Sequence, residues 1–221
     1  MTTSGTQIFD PQFDDILQDA AGMVGGGPIL AEELISARRG MDYLLTSIQN
    51  ENVLLHKVET TTVQIPVSTT SLAIDRSVLD VLSASILTNN THIVLDRYGY
   101  QQWAEIAARS QTARPTVFWF DRERAGNQMN FWPLPNQAYT VTLTIQKNTD
   151  DTIRAFDNID VPRRFLPAIV YGLAYWIGLR RSARVPIERL QYLQLRQAEE
   201  LRKAMREDRE RGSIYIRIGR R

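Results

Sequence analysis

Residues 116–147 read TVFWFDRERAGNQMNFWPLPNQAYTVTLTIQK, and this stretch separates a mixed chain from an all-helical one. Its segments 116–120 and 128–132 are rich in aromatic residues. They flank a polar turn holding Gly126 and Asn127, the composition of a β-hairpin. Pro133 and Pro135 cannot donate to a sheet ladder, so they close the second run. Residues 139–145 then alternate apolar and polar side chains one by one, which predicts a third strand with one buried face. Upstream, Val63 and Ile65 alternate with polar neighbours in a segment dense in threonine and valine. The region from about residue 55 to residue 160 therefore reads mostly as strands. One short helix interrupts it over residues 100–109, with Trp103, Ile106 and Ala107 on a shared face.

On either side the hydrophobic period changes from two to about 3.6. Phe13, Ile16 and Leu17 mark a short amphipathic helix that ends near the glycines of residues 22–27. Pro28 suits a helix start, and Glu32 and Glu33 complement the dipole of the turns that follow. Leu30, Leu34, Ala37, Met41, Leu44 and Ile48 recur at steps of four and three, the seam of a helix packed on other helices. Residues 165–179 are apolar nearly all round, which implies burial on more than one side. Gly172 and Gly178 lower the helix propensity there, so packing must hold it. Pro186 opens a last helix with Leu190, Leu193, Leu201 and Met205 on one face. Glu199 with Lys203 and Glu207 with Arg211 stand four residues apart as favourable pairs, and Gly212 ends the helix. Residues 213–221, SIYIRIGRR, alternate Ile214, Ile216 and Ile218 with Tyr215 and Arg217, a strand with no neighbour left in the chain. The expected fold is α+β. Residues 1–54 and 161–211 form a discontinuous helical bundle, residues 55–160 an inserted β-rich lobe, and residues 212–221 an extended tail.

Composition excludes several functions. The 221 residues are 43% apolar and 23% charged, an ordinary globular balance, and include no cysteine. Disulfide scaffolds, thiol catalysis and cysteine-based zinc sites are thereby ruled out. The two histidines, His56 and His92, lack metal-ligand spacing. The opening MTTSGTQIFDPQFDD carries acids where a secretory leader needs a basic stretch, and 15 mostly apolar residues are too few to span a bilayer. A soluble intracellular product with no membrane partner is expected. The net charge of +1 conceals a split: residues 161–221 hold 15 Arg or Lys against 6 Asp or Glu, and residues 1–160 hold 11 against 19. Such a split predicts two faces of opposite sign, or a basic end for an acidic partner.

Catalytic motifs are missing. Residues 25–28, Gly-Gly-Gly-Pro, lack the Gly-Lys-Ser/Thr ending of a phosphate-cradling loop and read as a hinge. Neither HExxH nor GxSxG occurs. The pairs Asp14-Asp15 and Glu32-Glu33 could serve acid–base work on a glycan. Adjacent residues on a helix diverge by about 100°, however, and both pairs suit helix N-termini. Trp103, Trp119, Trp132 and Trp176 could stack nucleobases, with Arg122 and Arg124 near Trp119. Strand alternation more simply places Trp119 in the sheet core. No catalytic, cofactor or metal residue is expected.

The order of segments is similar to one family. Residues 30–59 (LAEELISARRGMDYLLTSIQNENVLLHKVE) resemble the opening helix and first strand of the head-to-tail adaptor proteins of tailed double-stranded DNA phages. Residues 96–110 (DRYGYQQWAEIAARS) resemble their arginine, aromatic and short-helix element. RPTVFWF at 114–120 and MNFWPLPNQAYTVTLTI at 129–145 resemble their paired strands with a proline-rich corner. VPRRFLPAIVYGLAYWIG at 161–178 resembles their late apolar helix. The resemblance implies a structural virion protein that assembles with copies of itself, as a twelve-fold ring beneath the portal protein. It also implies contacts with a downstream tail or nozzle protein and with packaged double-stranded DNA, without sequence specificity. The host cytoplasm is the expected place of assembly. Ile214, Tyr215, Ile216, Arg217, Ile218, Arg220 and Arg221 are the expected portal-docking residues. Leu34, Met41, Leu44, Ile48, Phe165, Ile169, Leu173 and Trp176 are the expected subunit-packing residues. The residues alone leave two other classes open. One is a nucleic-acid-binding protein using the basic helix of residues 189–211; the other is a glycan-cleaving enzyme using the acidic pairs.

Overall fold

A computed structural model describes residues 9–25, 27, 29–51, 54–88, 90–123, 126–151, 154 and 156–208. The chain is α+β and divides into two compact units: residues 1–56 with 149–221, and residues 57–148.

In the first unit, α1 (Phe13–Val24) begins where the Gln12 N–H donates to the Asp15 carboxylate at 3.1 Å, and it buries Phe13, Ile16, Leu17 and Ala20. α2 (Ala31–Glu51) buries Ala37, Met41, Leu45 and Ile48. Its buried arc is wider than the expected stripe, running from Ser36 and Gly40 on one side to Leu45 and Gln49 on the other. Leu34 and Leu44 are only half-buried, and Leu30 lies ahead of the helix, exposed. α4 (Leu166–Arg180) packs against α1, α2 and α5 (Ile187–Glu207), which explains a helix apolar on nearly every side. A Cβ on Gly172 would sit 2.9 Å from Leu44 Cδ2, and one on Gly178 would sit 2.6 Å from Leu190 Cδ2. Both glycines are therefore positions where a neighbouring side chain rests on the α4 backbone. α5 buries Leu190, Leu193, Ala204 and Met205, with Leu201 half-buried, close to the expected face. It ends at Asp208, whose buried carboxylate accepts from the Arg164 guanidinium and from the Leu55 N–H. Within this unit the Phe13 N–H donates to the Asp157 carbonyl at 3.0 Å, tying Asp157 to the start of α1.

The second unit is a seven-stranded, barrel-like sheet. Its strands are β1 (Val58–Ile65), β2 (Ser71–Ile74), β3 (Val78–Thr88), β4 (Thr91–Arg97), β6 (Val117–Arg122), β7 (Asn127–Trp132) and β9 (Tyr139–Lys147). Their order is β1-β9-β3-β4-β6-β7-β2, antiparallel except where β4 meets β6. Two short strands, β5 (Thr112–Ala113) and β8 (Leu134–Pro135), pair separately. β6 and β7 form the expected hairpin, in register from Val117↔Trp132 to Arg122↔Asn127. β9 buries Tyr139, Val141, Leu143 and Ile145 in strict alternation.

Two expectations change here. Period two turns Phe118 and Phe120 into the core, so Trp119 points to the opposite face. There it packs against Tyr100 and Trp103 with ring centroids 5.9 and 5.7 Å away. The short helix α3 (Tyr100–Ala104) also stops early, leaving Ile106 half-buried and Ala107 exposed. Tertiary bonding competes with its continuation: the Ala108 carbonyl accepts from Trp132 Nε1 at 2.9 Å and from the Gln111 N–H at 3.2 Å.

Candidate assembly surface

The helical unit presents two features on its surface, a groove and an exposed helix face. The groove lies between α1 and the start of α2, about 510 Å³ in volume. Leu17, Ala21, Ile29 and Leu34 form its apolar lining, with Asp14, Gln18 and Leu30 beside them. Arg181, at the end of α4, fixes the loop that walls it. Its Nη1 donates to the Gly25 carbonyl at 2.9 Å and lies 3.4 Å from that of Gly27. Its Nε and Nη2 donate to the two Glu33 oxygens at 2.7 and 2.6 Å, a bidentate fork. Glu33 also accepts the Leu30 N–H at 3.0 Å. The hydrogen bonds from Arg181 hold the Glu33 carboxyl at about 2, well below its ordinary 4.5. Glu33 thus does more than complement a dipole: it locks α2, the glycine loop and α4 together.

The outward face of α5 exposes Ile187, Tyr192 and Leu195. Its charges are largely engaged within the chain. Arg196 pairs with Glu199 at 2.6 Å and Glu200 at 3.2 Å, and Lys203 lies 3.4 and 2.9 Å from the same two carboxylates. The hydrogen bond from Lys203 lowers the Glu199 carboxyl, and that to Glu200 raises the Lys203 amine. Arg189 donates to the Met23 carbonyl at 2.7 Å, and Arg180 lies over the Trp176 ring at 5.5 Å. Arg202 and Arg206 are exposed and make no ion pair among the described residues. Opposite in sign, α1 carries Asp14, Asp15 and Asp19 with no basic residue.

The expected subunit-packing residues fall mainly inside one chain. Met41, Ile48, Phe165, Ile169 and Leu173 belong to its own core, and Leu34 and Leu44 are half-buried against it. Trp176 is half-buried, donates to the Ser36 carbonyl at 3.2 Å and meets Tyr43 edge-on at 5.7 Å. Ile214, Tyr215, Ile216, Arg217, Ile218, Arg220 and Arg221 lie outside the described residues, as do Gly26, Pro28, Arg124, Arg211 and Gly212. His56 packs on Phe165 with centroids 6.1 Å apart, and His92 Nδ1 lies 3.2 Å from Ser85 Oγ. Among the described residues, no group of three His, Asp or Glu is placed to hold a metal ion, and no helix is long and apolar enough to cross a membrane. Sequence reasoning missed the Arg181 clasp, whose partners lie 148 and 156 positions away along the chain. The groove left only one trace, the glycine run after an amphipathic helix.

No curated protein matches the chain. The model of one family, the SU10 adaptor protein family, matches residues 11–217 and so takes in both the helical unit and the sheet. With nearly its whole length matched, the chain belongs to the SU10 adaptor family of phage head-to-tail proteins and is a structural component of a virion.

Proposed function

We propose that the protein is the ring that joins a phage head to its tail. Copies of the chain dock beneath the portal, extend the DNA channel, help retain the packaged genome and offer a platform to the next tail or nozzle protein. Twelve copies would match a twelve-fold portal. The observation that carries this reading is the family match across residues 11–217. The bundle–lobe–tail division expected from the sequence is consistent with it: in this reading the helical unit is the body of the adaptor, and residues 212–221 would reach a partner. The reading requires no catalysis, cofactor or metal. Assembly takes place in the host cytoplasm, and the final location is the virion.

The docking element in this reading is the tail. Its three isoleucines alternate with Tyr215 and Arg217, so a strand added to a portal sheet or groove would bury one apolar face. Burial of three isoleucines contributes roughly 5–9 kcal/mol, and ordering nine residues at about 1–2 kcal/mol each offsets most or all of that, so backbone pairing, the arginines and many-fold repetition around the ring must make the attachment durable. The test is deletion of the residues after Gly212. The melting temperature should stay nearly unchanged while assembly on portal is lost. Normal portal occupancy by the truncated chain would move the docking surface onto the folded body.

The nucleic-acid reading keeps one supporting observation, the exposed Arg202 and Arg206. It predicts duplex binding that is indifferent to sequence and weakens steeply with salt. The engagement of Arg189, Arg196 and Lys203 within the chain leaves it the lesser reading.

A further inference from the structure

We propose that the groove between α1 and α2 receives the outward face of α5 from a second copy of the same chain. This names the copy-to-copy contact of the ring and rests on the self-assembly part of the adaptor reading.

Three observations converge on it. The first is the groove itself: an open, apolar trench floored by Leu17 and Ala21 of α1 and walled by Ile29 and Leu34. Its volume of about 510 Å³ suits the side chains of one helix face rather than a broad protein surface. The second is a stripe on α5 that no described residue covers. Ile187 is 66% exposed and Leu195 71% exposed, with the exposed Gln191 between them. Their spacing of four and four residues places all three on one side of the helix, turned away from the buried Leu193 and Ala204. Ile187 and Leu195 stand about 12 Å apart along the axis. An amphipathic helix laid into an apolar groove is a recurrent recognition mode. The third is charge. The same α5 face continues to Arg202 and Arg206, whereas α1 lines the groove with the exposed Asp14 and carries Asp15 and Asp19, also exposed, further round the helix. The acidic first part and basic last part of the chain thus acquire a physical role as opposite sides of one contact.

In a ring this contact runs head-to-tail. Each copy gives a helix face to one neighbour and a groove to the other, and such contacts close into a ring when the rotation permits. A self-complementary contact would stop at a dimer.

The absence of native cysteine makes the test free of background. Gln18 lies in the groove and Gln191 on the α5 stripe, both exposed. The double variant Q18C/Q191C, oxidised mildly in solution and on portal, should give a ladder of covalent oligomers rising one subunit at a time. Q18C and Q191C alone should stay monomeric on a denaturing gel. Gly22→Trp added to the double variant should abolish at least nine-tenths of the ladder without lowering the melting temperature. A Cβ at Gly22 meets nothing within 4 Å, and tryptophan is a better helix residue than glycine. A mixture of Gly22→Trp and Leu195→Glu chains should form one-to-one pairs and go no further, since each retains one working surface. No ladder, a ladder that survives Gly22→Trp, or equal dimers of Q18C alone would overturn the proposal. Rings on portal without the ladder would sink this contact and leave the adaptor reading standing. No binding to portal at all would sink the adaptor reading itself.

Discussion

Replacing Glu33 by glutamine removes the negative half of the clasp while keeping its size. In the native chain the Glu33 carboxylate takes two guanidinium bonds from Arg181 at 2.7 and 2.6 Å and the Leu30 N–H at 3.0 Å. The Arg181 side chain is only 7% exposed, so the substitution leaves a buried cation without its counter-charge. The drop of the carboxyl from 4.5 to about 2 would correspond to about 3.4 kcal/mol for a fully enclosed pair. Glu33 keeps 23% of its side chain in water, which screens the pair, and about 2 kcal/mol at neutral pH is the expected cost. A loss of that size lowers the melting temperature by about 4–8 °C in a chain of this length. The sign of the pH dependence follows from a carboxyl that is depressed in the folded state. Its contribution is complete above the unfolded value of 4.5 and is lost as pH falls toward about 2. The gap between native and E33Q proteins should therefore narrow from about 2 kcal/mol at pH 7 to about 1.2 kcal/mol at pH 3.5. Urea unfolding of both proteins at pH 7, 5 and 3.5 measures it. A gap that is absent at pH 7, or that widens on acidification, would refute the role given to the clasp.

Phe118→Ala should cost about 3–5 kcal/mol, because the ring is wholly buried in the sheet core. Trp119→Ala should cost less, about 1–1.5 kcal/mol, since that half-buried ring packs on Tyr100 and Trp103 at the opposite face. Denaturant titration of the pair checks which residue faces inward, and a larger loss for Trp119 would reverse the assignment. Asp208→Asn should destabilise the helical unit by about 2–3 kcal/mol, through Arg164 left without its charge partner. Hydrogen exchange should then rise first at Leu55, whose N–H the Asp208 carboxylate accepts, and in the last turn of α5, where the Asp208 N–H bonds the Ala204 carbonyl. Uniform exchange across the chain would deny Asp208 that local role.

Periodic elements were legible from the residues alone. The β6–β7 hairpin, the alternation of β9 and the buried face of α5 each follow from local pattern, because one side of each element faces a core. Trp119 marks the limit of local pattern: alternation fixes which residues share a face, and the pair Phe118 and Phe120 outweighs one tryptophan in choosing the inner side. In α2 the stripe gave the correct helix but too narrow an arc, since Leu45 and Gln49 are buried by neighbours no spacing rule can supply. The parallel meeting of β4 and β6 joins segments with a helix and a loop between them, and local composition is silent about such pairing. The clasp was invisible for the same reason. Glu33 shows its helix-start role to any reader of the sequence, but its partner Arg181 is one of many arginines until the chain has folded. The groove needs α1 and α2 side by side before it exists, whereas the α5 stripe can be read once the opposite face is known to be buried.

Electron microscopy of the purified full-length chain mixed with the portal protein of the same phage tests the central claim most directly. The account predicts a ring of this protein seated on the face of the portal that meets the tail, in register with the portal's own symmetry. Its helical units should touch head-to-tail around a central channel. Portal particles that remain bare with the protein in tenfold excess would contradict it.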